Sequence, residues 1–210
     1  MLTMLSRQTA TGLRVLLVFT VLLGVVYPLL VWGVARIPGL SDRAEGSIVY
    51  ASDGTPVGSS LIGVDPVAAD RGADPYFHTR PAASSEDSLG PADTSTSGGS
   101  NLGGFDSDPV DGGLLETVQE RRSLIAEREG VDPALVPPDA VTASASGLDP
   151  HVSPEYAALQ VARVAEVTGL PVPEVAALVA DASDGRILGF LGEPTVNVTE
   201  LNLAVREATR

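Results

Sequence analysis

Hydrophobic positions along this chain obey two different rules. From Val15 to Val34 the run VLLVFTVLLGVVYPLLVWGV carries no charge, and its only hydroxyl groups are on Thr20 and Tyr27. About twenty such residues cross a hydrocarbon core as one helix. Beyond Ala44 the apolar residues come instead in short clusters divided by turn formers. Gly46–Tyr50 and Val57–Ile62 predict two strands of a hairpin across the turn Ser52–Pro56. Residues 65–113 are dense in Gly, Pro, Ser, Thr and Asp and predict loop, interrupted by islands at Tyr76–Pro81 and Ser97–Gly103. Leu114, Leu115, Val118 and Ile125 recur at helical spacing, with Gly130 placed to end that helix. Residues 133–139 form a Pro-rich connection, and residues 140–147 are small and apolar. Ser153-Pro154-Glu155 opens a helix that closes at Gly169: Ser caps it, Pro fits the first turn, and Glu complements the dipole. A short helix is expected from Glu174 to Ala182, a buried strand over Ile187–Leu191, and a final helix opened by Asn197 and Glu200.

Helices and strands that do not alternate regularly predict an α+β domain rather than a doubly wound sheet. The expected division is a short cytoplasmic tail (1–14), a transmembrane helix (15–36), a linker (37–45) stopped by Pro38 and Gly39, and one mixed helix/strand extracytoplasmic domain (46–210). Within the span, Gly24 permits close helix contact, Tyr27 and Trp32 suit the interface, and Pro28 removes a helical donor. Gly24, Tyr27, Pro28 and Trp32 are therefore the candidates for membrane-helix packing. A cleaved signal peptide ending near Gly33-Val34-Ala35 is the competing reading, which the length of the apolar run and the bulk of Trp32 oppose.

Charge decides orientation only narrowly. Arg7 and Arg14 on one flank are matched by Arg36 and Arg43 on the other. The amino-terminal amine tips the balance inward, and a long following domain translocates largely regardless of charge. The expectation is a single-pass protein of the cell membrane, in contact with lipid, with its amino terminus in the cytoplasm and its domain outside.

Composition narrows the chemistry further. All 13 basic residues are Arg, against 27 acidic ones, for a net charge of −14. From Ala44 onward nine Arg stand against 26 acidic residues, so the domain repels phosphates and nucleic acid is excluded as a partner. With no Lys there is no Walker loop, and with no Cys there is no disulfide, thiolate nucleophile or thiolate metal site. Ser97, Gly98, Gly99, Ser100 and Asn101 offer backbone donors to an anion and are the weak candidates for nucleotide contact, although such runs more often serve as turns. Ser144, Ser146, Asp149 and His151 supply the residue types of a serine hydrolase, but no G-x-S-x-G elbow surrounds either serine. His78 and His151 lack zinc spacing, so neither a metal site nor a catalytic site is expected. Tyr76, Phe77, His78 and Arg80 are candidates for docking a partner, or else a loop tied to its own core.

Several blocks carry a resemblance. Val57–Gly63, Tyr76–Pro81, Ser97–Gly103, Asp139–Pro154, Gly189–Pro194 and Val196–Leu203, in this order and with the single anchor, resemble the C subunit of the Kdp potassium-transporting ATPase. Val64 replaces the family's usual Gln, and the loop 65–75 is longer than usual. The resemblance implies a non-catalytic accessory subunit of a high-affinity potassium import complex. Its partners would be a potassium-channel-like A subunit, an ATP-hydrolysing B subunit and a small F subunit. It implies no cofactor of its own, ATP and potassium being handled by the complex, and a role in stabilising assembly and as a catalytic chaperone that supports ATP use. A cytoplasm-facing regulator that contacts nucleotide in a ternary complex is the alternative, and an extracellular serine hydrolase a weaker one.

Overall fold

A computed structural model describes residues 2–82, 88–89, 113–144 and 146–210. The chain divides into two compact units, Met1–Ser47 and Ile48–Arg210.

The first unit is dominated by helix. α1 (Leu2–Val21) and α2 (Tyr27–Ala35) are joined without a break by a π-helical turn, Leu22–Val26. Ser6–Ala35 is long and apolar enough to cross a membrane. The segment expected as a tail is helical from Leu2, because Leu, Arg, Gln and Ala there are good helix formers and no proline interrupts them. Pro28 was expected to disturb the helix, and the π turn is where that disturbance is absorbed. Pro28 has no N–H to donate, while Tyr27 N–H bonds Leu22 O five residues back, which widens the backbone just before the proline ring. At the far end the Arg36 guanidinium lies 5.2 Å from the Trp32 ring centroid and 3.1 Å from Glu45. Gly39 turns the chain at φ 89° into the short α3 (Ser41–Ala44).

The second unit begins with the expected hairpin. β1 (Ile48–Tyr50) pairs antiparallel with β2 (Pro56–Ser59), Ile48 opposite Ser59. The second strand stops short of Ile62 because Ser59 captures the next turn: its Oγ accepts from Leu61 N–H at 3.1 Å and its carbonyl from Ile62 N–H at 3.3 Å. Gly63 then presses on the backbone of Pro150, where an added Cβ would lie 2.6 Å from Pro150 Cα. Only glycine permits this approach.

α4 (Leu114–Glu129) ends at Gly130 with φ 65°. A 3-10 turn at Pro133–Leu135 and the one-turn α5 (Pro138–Val141) lead to β3 (His151–Val152). α6 (Pro154–Thr168) starts as its sequence dictates, with Ser153 Oγ accepting from Tyr156 N–H at 3.0 Å, and stops at Gly169 with φ 75°. α7 (Val172–Asp181) places Pro173 in its first turn. β4 (Ser183–Asp184) and β5 (Thr195–Asn197) complete a three-stranded antiparallel sheet in the order β3-β5-β4. α8 (Val198–Ala208) follows at once, capped by Asn197 Oδ1, which accepts from Glu200 N–H. The core gathers Phe77, Ile125, Val141, Tyr156, Val164, Val175, Val196 and Leu201. A mixed helix/strand domain preceded by one apolar helix is the architecture the sequence led us to expect.

One expected element is corrected. Ile187–Leu191 is not a buried strand but an exposed tight turn within the β4–β5 connection. Gly189 and Gly192, at φ 81° and 79°, curl the chain back before it can extend beside the sheet.

Candidate functional site

Among the described residues, the segment from Asp65 to Ala82 is where charged side chains are most tightly organised. It has almost no regular structure of its own, only the 3-10 turn Arg71–Ala73, so other elements must satisfy its backbone. Two amide side chains do so. Asn202, on α8, accepts from Phe77 N–H and donates back to Phe77 O, both at 2.8 Å. Gln160, on α6, accepts from His78 N–H at 2.8 Å and donates to His78 O at 3.3 Å. Each amide imitates the neighbouring strand that this segment lacks. Phe77 can then be wholly buried without stranding a polar group.

Around this backbone runs a continuous line of charge. His78 Nδ1 lies 3.0 Å from Asp65 and Nε2 lies 2.7 Å from Asp74. Arg163 donates to the carbonyls of Asp74 and Tyr76 at 2.7 and 2.9 Å, to Gln160 at 3.1 Å and to Glu129 at 3.0 Å. Glu129, its side chain fully buried, also takes Arg128 Nε at 2.6 Å, and Arg128 reaches Tyr156 Oη at 2.9 Å. Three carboxylates (Asp65, Asp74, Glu129) face two guanidiniums and one imidazole. With His78 protonated the line is neutral.

Proton affinities follow. Burial alone pushes His78 down, but the hydrogen bonds to Asp65 and Asp74 together outweigh it, and its pKa is raised. For Asp74 burial pulls upward, and His78, the Tyr76 N–H and Arg163 more than reverse it, so its pKa is lowered. Tyr156 is pushed up, first by burial. Both ring nitrogens of His78 are engaged by carboxylates, which ties the ring to the segment on both sides.

A second cluster lies at the segment's end. Arg80 donates to Asp149 Oδ2 at 2.6 Å, while Asp149 Oδ1 accepts from His151 N–H at 3.0 Å and faces His151 Nδ1 at 3.2 Å. These bonds outweigh the effect of burial and lower the Asp149 pKa. The segment is closed where Ser144 N–H donates to Pro81 O at 2.9 Å. Ser144 Oγ and Ser146 Oγ lie 3.2 Å apart, and among the described residues no hydrogen bond joins either serine to His151.

Of the residues expected to dock a partner, Phe77 and His78 are buried in this chain's own core, and Tyr76 and Arg80 are half-buried. For Phe77 and His78 this is the arrangement of a loop tied to its own core, the other reading of these residues: Asn202 and Gln160 engage their backbone groups, and Asp65 and Asp74 the His78 ring. Ser97, Gly98, Gly99, Ser100 and Asn101 lie outside the described residues. Gly24, Tyr27, Pro28 and Trp32 all face outward on the first unit, and a Cβ at Gly24 would meet nothing within 4 Å. Gln160, Asn202, Arg163, Glu129, Asp65 and Asp74 were not singled out beforehand. Gln160 did leave a signal, being a polar residue amid the apolar stripe of Tyr156, Ala157, Val161 and Val164.

Comparison with known proteins gives consistent matches. A family model described as "KdpC: K+-transporting ATPase, c chain" matches residues 9–207. The "Potassium-transporting ATPase KdpC subunit" of Kineococcus radiotolerans is 52% identical over 207 residues, covering 99% of this chain and 97% of that one. Proteins with the same name from Nitratidesulfovibrio vulgaris and Streptomyces avermitilis are 47% and 44% identical, covering 92% and 96% of this chain and 91% and 94% of theirs.

Proposed function

The chain belongs to the KdpC family, the c chains of K+-transporting ATPases, and from that premise we propose that it is a non-catalytic accessory subunit of its complex. In this reading the span Ser6–Ala35 anchors it, the amino terminus is cytoplasmic and the domain lies outside. There it stabilises the assembly of a potassium-channel-like subunit, an ATP-hydrolysing subunit and a small third subunit.

The observation that carries this reading is the ionic line through His78 and Arg163. Its charges are spent on one another, and their effect is to lock a long irregular segment onto α6 and α8. A domain built this way is a rigid module, suited to holding a larger machine in one arrangement. Support for ATP use by the hydrolysing subunit then acts through the conformation of the complex, with the anchor stripe at Gly24, Tyr27, Pro28 and Trp32 as the contact inside the bilayer.

The chain lacks cysteine, so a single Leu135→Cys in an exposed turn gives one addressable thiol. Labelling by a membrane-impermeant maleimide in intact cells is the expected result. Labelling only after lysis would replace this reading with that of a cytoplasmic regulator contacting nucleotide.

A further inference from the structure

The connection between β4 and β5 stands out for what it leaves uncovered. Ile187, Leu188, Phe190 and Leu191 are exposed to 70%, 81%, 68% and 48%, four large apolar side chains within five residues. Scattered exposed apolar residues need no explanation, but a contiguous group marks a contact.

This turn is built rather than slack. Ile187 N–H donates to Leu191 O and Leu191 N–H to Ile187 O, both at 2.9 Å, and Gly189 N–H donates to Arg186 O at 3.0 Å. Below them Arg186 and Glu193 close the stem at 2.6 Å. Leu188 sits at φ 55°, a region that a bulky residue seldom adopts, beside Gly189 at φ 81°. Such strain persists where the surroundings impose it, and it clusters at functional positions. Because the turn's backbone groups bond one another, addition of a foreign strand is not what it offers. It offers side chains.

Charge selects the occupant. Asp181, Asp184 and Glu193 flank the tip, and Arg186, the only cation of residues 181–194, is tied to Glu193. An anionic lipid surface is repelled by such a rim, whereas a protein pocket with an apolar floor and basic edges complements it. We infer that the Ile187–Leu191 turn is a docking knob, with Phe190 and Leu188 as its anchors, for an apolar, basic-rimmed pocket on another subunit of the ATPase complex. This rests on the accessory-subunit reading.

The test uses the full chain co-expressed with its partner subunits. Phe190→Ala is expected to weaken retention of the chain on the purified complex by about 30-fold, as for a buried aromatic anchor. Leu188→Asp is expected to weaken it at least as much, and Asp tolerates a positive φ better than Leu, so the turn survives. The thermal melts of both variants should match the parent's. A photo-crosslinker at position 188 is expected to capture a protein subunit. Retention within twofold of the parent for both variants, or crosslinks to lipid alone, would overturn the knob. If the unmodified chain retains no partner at all, the subunit reading itself fails. If it is retained and both variants are too, only the knob is lost.

Discussion

Two apolar islands in glycine- and proline-rich sequence, Tyr76–Thr79 and Ile187–Leu191, meet opposite fates. The first is pulled inside: Phe77 is wholly buried, and the backbone on either side of its ring is bonded by side chains from α6 and α8. The second satisfies its own backbone within a five-residue turn and holds its apolar groups outward. Hydrophobicity alone did not decide between them. What decided was whether distant polar side chains were available to pair the backbone, because an irregular segment can be buried only when its N–H and C=O groups have partners.

The widest separation between the islands should come from His78→Leu. It removes the cation from between Asp65 and Asp74 and leaves two buried carboxylates facing an apolar side chain. Breaking a buried pair of this kind costs about 3–5 kcal/mol, and the thermal midpoint of the full chain in detergent should fall accordingly. Phe77→Ala should cost about 3–5 kcal/mol by opening a cavity in the core. Asn202→Ala, which deprives both backbone groups of Phe77 of their partners, should cost roughly 1–3 kcal/mol per stranded group, read from the same melt. At the other island Phe190→Ala should change stability by less than about 0.5 kcal/mol, its ring having little to lose. A drop comparable with that of Phe77→Ala would erase the distinction.

Dependence on pH sharpens the same contrast. The folded-state pKa of His78 lies above its ordinary value of 6.5, so its stabilising contribution is complete below that value and is lost as pH rises through the folded pKa. Asp74 runs the other way: its folded pKa is below 3.8, so its contribution is present above that value and is lost as pH falls through the depressed one. Thermal scans should therefore show stability declining on the alkaline side, and His78→Gln should remove that decline. An unchanged alkaline slope in His78→Gln would mean that the imidazole is not the titrating group.

Elements with local signals were legible in the sequence. The Ser153 cap, the proline after it, and Gly130 and Gly169 at helix ends each act within a few residues, so α4 and α6 could be bounded from the chain alone. The clamp could not be read that way, since Gln160 and Asn202, which bond the Phe77–His78 backbone, and Asp65, Glu129 and Arg163, which extend the charged line around it, come from four separate stretches of chain. Gln160 within an apolar stripe was the one local trace. At Ile187–Leu191 the composition of a buried strand was present, and Gly189 and Gly192 were the overlooked sign of a turn. Family resemblance, by contrast, was carried by short blocks whose order survives even where their contacts are invisible.

The balance of three carboxylates against two guanidiniums and an imidazolium has a consequence for the chain's habitat. Since this inner set sums to zero when His78 is protonated, the excess of acid in the composition is carried by the other residues of the chain. Mutation can redraw those outer charges for brine or a new neighbour while the kernel's own ion pairs stay matched.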